Sequence, residues 1–204
     1  MIGTMIDLTV AQLLSSRLCH EIISPVGAIA NGVELLGEDD PDFVKDAIAL
    51  VEQSSKKAGQ RLQFYRFAYG YAASGPASDP GELARGLLEG GKIRLDWSPD
   101  LKAMEPAWQR LAINLVVMAA EAIPRGGLVA VRPSGKGLEI TAEGDMAACA
   151  SDQKAALDRT VGIADLTSRT VHAYYTGLLA QQLSSPVAVA HSLSGKVSFV
   201  ASPP

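Results

Sequence analysis

The 204-residue chain lacks the features that announce several common kinds of function. It has two cysteines, Cys19 and Cys149, too few for a disulfide framework and not arranged as a CxxC pair, which fits a reducing compartment. Aromatic residues make up 5% of it, with no basic run and no aromatic ladder, and its formal charge is -4. That composition carries no footprint for a nucleic acid. No run of about 18 apolar residues is present to cross a bilayer. The opening MIGTMIDLTV lacks the charged and apolar regions of a signal peptide. Internal repeats and low-complexity tracts are missing as well. We expect a soluble, cytoplasmic protein.

What is present points to a folded core. Hydrophobic residues form 48% of the chain and charged residues 20%, a globular balance. In the first seventy residues, Leu14, Leu18, Ile22, Val26, Ile29, Val33 and Leu36 recur in steps of three and four, one stripe on a helix. Gly37 and the acidic run after it predict a turn, with Asp40 and Pro41 as cap and first residue of a second helix, DFVKDAIALVEQSSKKAGQRLQFYRFAYGY. At about 1.5 Å per residue each helix is roughly 40–45 Å long. An antiparallel hairpin of two such helices leaves apolar surface wet. Each large side chain moved out of water contributes about 1.5–3 kcal/mol, so a second copy of the chain is the expected cover. The predicted assembly is a homodimer built on a four-helix bundle.

SGPASDP, small, polar and proline-rich, marks a linker over 74–80. Asp79 and Pro80 then start a helix, GELARGLLEGG. KIRLDWS alternates like a strand, EPAWQRLAINLVVMAAEAI reads as a buried helix, and GLVAVRP with KGLEITAE as a strand pair. ASDQKAALDR and VHAYYTGLLAQQL read as helices, PVAVAHS and GKVSFVA as a closing hairpin. The fold class is α+β: a hairpin unit over 1–73, then a two-layer α/β sandwich over 81–204.

One stretch of the first helix, LCHEIISPVGAIANGVELLG, carries chemistry. His20 lies about 200° around the helix from both Leu18 and Ile22, so it points away from the apolar stripe. Ser16, Arg17, Ile23, Ser24 and Gly27 are its helical neighbours. A neutral imidazole is a competent nucleophile near pH 7, and an adjacent carboxylate, Glu21, can hold its tautomer and take the displaced proton. Pro25 has no N–H to offer the Glu21 carbonyl, so the helix is expected to loosen or bend beside His20. An exposed His beside a Glu is also what an ordinary solvated helix face looks like.

HEIISP resembles the H-box of sensor histidine kinases, usually H-E-x-x-T-P. The longer strings LCHEIISPVGAIANGVELL and SSKKAGQRLQFYRFAYG are similar to the ChpT-type histidine phosphotransferases of alphaproteobacterial cell-cycle phosphorelays. The likeness is specific over the first seventy residues and looser beyond. It implies that His20 accepts a phosphoryl group from a receiver-domain aspartate and passes it on, with Glu21 as its acidic neighbour and no ATP used. It implies a donor receiver on a CckA-like hybrid histidine kinase and CtrA-like and CpdR-like response regulators as acceptors. No resident cofactor is implied, since Mg²⁺ comes with the receiver. Ser24 stands where kinases carry Thr or Asn. Ile23 is the expected apolar anchor for a receiver, with Arg17, Ser24, Gly27 and Asn31 around it; packing of Ile23 on the second helix is the competing reading.

The second unit resembles a histidine-kinase ATPase domain without its working parts. QRLAINLVVMAAEAIPRGG is similar to the N-box, and aligning Asn114 with its first asparagine puts Met118 at the metal-binding place. A thioether is a poor ligand for Mg²⁺. TAEGDMAA replaces the expected DxGxG, and a lone Gly177 stands for the glycine-rich loop. His172 and His191 read as structural, Glu121 as a solvated or capping acid, and Trp97, Trp108 and FYRFAYGY as packing near the hinge. Beside phosphotransfer, two other functions stay open: a scaffold that binds receivers without chemistry, and an ATP-dependent histidine kinase.

Overall fold

A computed structural model of the chain describes residues 7–70, 79–192 and 195–204. The first helix, α1 (Leu8–Leu35), is capped by Asp7, whose carboxylate accepts from the Thr9 N–H. The second, α2 (Pro41–Tyr69), starts as its sequence predicts, with the Asp40 carboxylate 2.9 Å from the Asp42 N–H and Pro41 as first residue. The helices pack as a hairpin around Gly32, where an added Cβ would stand 2.6 Å from Val51 Cγ2. Linker residues 74–78 lie outside the described residues, as does the tip of the closing hairpin.

The stripe read from the sequence is divided in the structure. Leu14, Leu18, Ile22 and Ile29 are partly covered, while Val26 (49%), Val33 (54%) and Leu36 (41%) stand open. The line that does go under is Val10, Arg17, Pro25 and Gly32. Pro25 does not interrupt α1, which is continuous through it.

Beyond the hairpin, Asp79 caps α3 (Pro80–Leu88), accepting from the Gly81 N–H at 2.8 Å. Gly81 has no room for a side chain, since its Cβ would lie 2.8 Å from the Trp97 ring. The strands β1 (Ile93–Trp97), β2 (Gly127–Ser134), β3 (Gly137–Glu143), β4 (Val187–Ser192) and β5 (Lys196–Ala201) form one sheet in the order β1-β2-β3-β5-β4. Only β1 and β2 run parallel, which fits the helix α4 (Pro106–Glu121) that connects them. The other pairings are antiparallel, with β5 inserted between β3 and β4. Inward residues alternate along β3 and β5 as a half-buried sheet requires, Leu138, Ile140 and Ala142 facing the core with Val197, Phe199 and Ala201. α4 lies on this face, and α5 (Ser151–Leu157) and α6 (Val171–Gln182) pack with it; α6 also touches α1. Two short 3₁₀ segments, Pro99–Ala103 and Ile163–Asp165, had no periodic signal in the sequence. Among the described residues no helix is long and apolar enough to cross a membrane.

Candidate functional site

His20 stands on the exposed face of α1, and no hydrogen bond or ion pair holds its ring among the described residues. Ile23 (67% exposed), Ser24, Gly27 and Asn31 continue the same face toward the hairpin turn. An added Cβ at Gly27 would meet nothing within 4 Å. The result is a low, open ridge on which an imidazole and one apolar side chain are the tallest features. Ile23 does not pack on α2, so the competing reading of that residue is set aside.

Arg17 is a correction. Expected on this open face, it is buried between α1 and the second unit. Its Nη2 donates to Glu121 Oε1, and its Nη1 to the carbonyls of Arg169 (3.2 Å) and Ser168 (3.4 Å). Burial pulls the guanidinium pKa down, but the charge of Glu121 and its hydrogen bond outweigh that and hold it above its ordinary value. Glu121 in turn accepts from Gln153 Nε2 at 2.5 Å. Glu121 is exposed, as a solvated acid would be, but it is paired and does not act as a cap. It closes an ion pair that fixes α4 and α5 one turn from His20.

Glu21 has a partner that sequence reasoning missed. Arg61, on α2, places Nη1 2.9 Å from Glu21 Oε2 and 2.5 Å from the Glu21 carbonyl oxygen. That carbonyl is the one Pro25 leaves without a helical donor. The expected loosening is replaced by a bond from the neighbouring helix. The signal available was the hairpin itself, because an antiparallel register that sets Gly32 against Val51 also brings Arg61 level with Glu21.

A second joint lies at the far end of α2. His172 is fully buried, with Nε2 2.9 Å from the Asn114 carbonyl and Nδ1 2.8 Å from the Tyr69 hydroxyl. A carbonyl can only accept, so Nε2 carries the proton and the Tyr69 O–H donates to Nδ1. Burial, followed by the charge of Arg17, pushes the His172 pKa down to about 3, so the ring is neutral. The Asn114 side chain is buried too, its Nδ2 donating to the carbonyls of Arg110 (2.8 Å) and Ala68 (3.3 Å). Tyr175 donates to the same Ala68 carbonyl at 3.3 Å, and its ring meets Tyr69 edge-on. The aromatic run at the end of α2 thus packs at the junction, as its composition suggested. Met118 is buried, and His191, expected in apolar surroundings, is exposed and accepts from the Cys149 N–H at 3.2 Å.

Comparison with known proteins bears on the whole chain. Residues 78–194 match the family described as the histidine phosphotransferase C-terminal domain. The chain is 34% identical over 206 residues to the protein phosphotransferase ChpT of Brucella abortus (strain 2308), covering 97% of each. A bacterial phosphotransferase of known structure at 1.7 Å superposes with a TM-score of 0.81 at 31% identity, covering 98% of both chains.

Proposed function

The chain belongs to the ChpT-type histidine phosphotransferase family, and on that premise we propose that His20 is its phosphoacceptor. The carrying observation is the unpartnered imidazole on an open helical ridge. A receiver domain presents its aspartyl phosphate to that ring. The P–O bond of the acyl phosphate breaks, a P–N bond forms at His20, and aspartate leaves as its carboxylate. Glu21 is the acid assigned to take the proton from the other ring nitrogen. An acceptor receiver then runs the step in reverse. Phosphoryl transfer depends mainly on alignment and charge stabilisation, and the receiver supplies Mg²⁺ and charged side chains of its own. Ile23, Ser24, Gly27 and Asn31 form the landing surface, with Ile23 as apolar anchor. Residues 1–73 carry the chemistry, while 81–204 support it without ATP. Supporting that division, the Asn114 side chain is tied to backbone carbonyls, one of them in α2, instead of facing solvent.

The same reading assigns a second copy of the chain to Val26 and Val33 of α1, Leu36 just past its end, and Ile48 and Leu62 of α2, all exposed in the single chain. Two such faces brought together make a four-helix bundle. A monomeric mass from solution scattering would remove the dimer.

Transfer of labelled phosphate from a phosphorylated receiver tests the central claim. The wild-type chain should take an acid-labile, base-stable label and His20→Ala none. Normal labelling of His20→Ala would refute the assignment, and a wild-type chain that binds the receiver but takes no label would leave a scaffold.

A further inference from the structure

Two features of the ridge are unusual for a helix built only to be stable. Pro25 sits inside α1, where it removes a backbone donor, and such a proline costs about 3 kcal/mol or more when nothing replaces the bond. Arg61 reaches across from α2 to occupy the vacated carbonyl, and the same Nη1 holds the Glu21 carboxylate. In taking that position its Nε is left buried without a partner, as is that of Arg17 in the joint to the second unit. Both the backbone and the side chain of the residue next to His20 are therefore held by one guanidinium nitrogen.

We propose that Arg61 is a positioning residue for the phosphoacceptor. It replaces a helical bond that would run along α1 with one that runs across the hairpin. The backbone at Glu21 is thereby fixed relative to α2 as well as α1, and the Glu21 carboxylate is held against α2. His20 is left to project into solvent from a rigid base. Small displacements matter here, because a shift of about 1 Å in a reacting group can lower a rate by roughly a hundredfold. This inference rests on His20 being the acceptor.

The variant Arg61→Met keeps the packed stem and removes only the head group. With the full chain and a phosphorylated receiver, transfer at saturating receiver should fall by about tenfold or more, with the half-saturating concentration changed less than about twofold. Phosphoramidate, a small donor that can follow a mobile ring, should label Arg61→Met within about twofold of wild type, since it needs no docked geometry. Adding Pro25→Ala to Arg61→Met restores an N–H for the Glu21 carbonyl along α1 but neither the tie to α2 nor the one to the Glu21 carboxylate, so it should recover little of the lost rate. Wild-type transfer by Arg61→Met overturns the proposal. So does full recovery of rate with Pro25→Ala, since a bond along α1 would then suffice, and so does a loss of helix content by circular dichroism or of phosphoramidate labelling in Arg61→Met, because Arg61 would then be holding the fold generally. His20→Ala in the same assays separates the two ideas. If it still takes label, the acceptor assignment fails and this inference with it; if it takes none while Arg61→Met behaves as wild type, only the role of Arg61 falls.

Discussion

The two ends of the helical hairpin are treated in opposite ways. At the end of α2, Phe64, Tyr65 and Ala68 are sealed against the second unit, and every polar group brought in with them on Tyr69, His172 and Tyr175 has a partner. Toward the turn, Val33, Leu36, Phe43 and Ile48 are about half exposed. One end has its cover within the chain; the other has apolar surface that water meets until something else covers it. His20 lies between them. The contrast teaches that, among the described residues, the second unit covers the end of the hairpin away from its turn and leaves exposed the surfaces that a receiver and a second copy need under the proposed function.

Substitutions on either side of that divide should behave differently. The largest loss is expected at the Arg17 joint. Glu121→Ala strands a buried guanidinium and should destabilise the fold by about 2–3 kcal/mol in urea unfolding, below the roughly 3–5 of a fully buried pair because water reaches part of Glu121. An unchanged midpoint would show that water or the Ser168 and Arg169 carbonyls carry Arg17 unaided. Next comes the covered face of the hairpin. Gly32→Ala drives a methyl into Val51 and the Ala47 carbonyl and should destabilise by about 1–3 kcal/mol.

The sealed junction should also be sensitive to pH. His172 has a folded-state pKa near 3 against an ordinary 6.5, so between those values the unfolded chain binds the proton and the folded one does not. The stability that depends on its neutral ring is complete above pH 6.5 and declines as pH falls toward 3. The slope approaches about 1.4 kcal/mol per pH unit. Urea unfolding at pH 7 and pH 5.5, compared with His172→Gln, should show a slope in the wild type that the variant largely loses. The smallest effect belongs to the open ridge. Gly27→Ala meets nothing and gains helix propensity, so stability should rise by up to about 1 kcal/mol, and any loss of receiver transfer would be a matter of docking.

Much of the fold was legible because it is written locally. Asp40-Pro41 and Asp79-Pro80 start helices through bonds spanning two residues, and β3 and β5 announce themselves by alternation. The open face of His20 was legible for the same reason, since helical geometry alone separates it from Leu18 and Ile22. Arg17 was misread because the wheel says which way a side chain points from its own helix and nothing of what lies there. Glu121 was read as a solvated acid and is exposed, but its pairing with Arg17 was not legible. The effect of Pro25 was half legible. Its missing donor is a property of the residue, but the donor that replaces it comes from Arg61, 40 residues after the Glu21 whose carbonyl it serves.

The sequence by itself determined where the helices and strands begin, which residue is the candidate nucleophile, and that a proline would free one carbonyl beside it, for these follow from bonds and periods within a few residues. Tertiary structure alone decided that Arg17 is a joint, that Arg61 fills the gap, that β5 lies between β3 and β4, and which half of the apolar stripe stays uncovered. Each of those depends on the approach of groups far apart along the chain, and only the packed arrangement sets that distance.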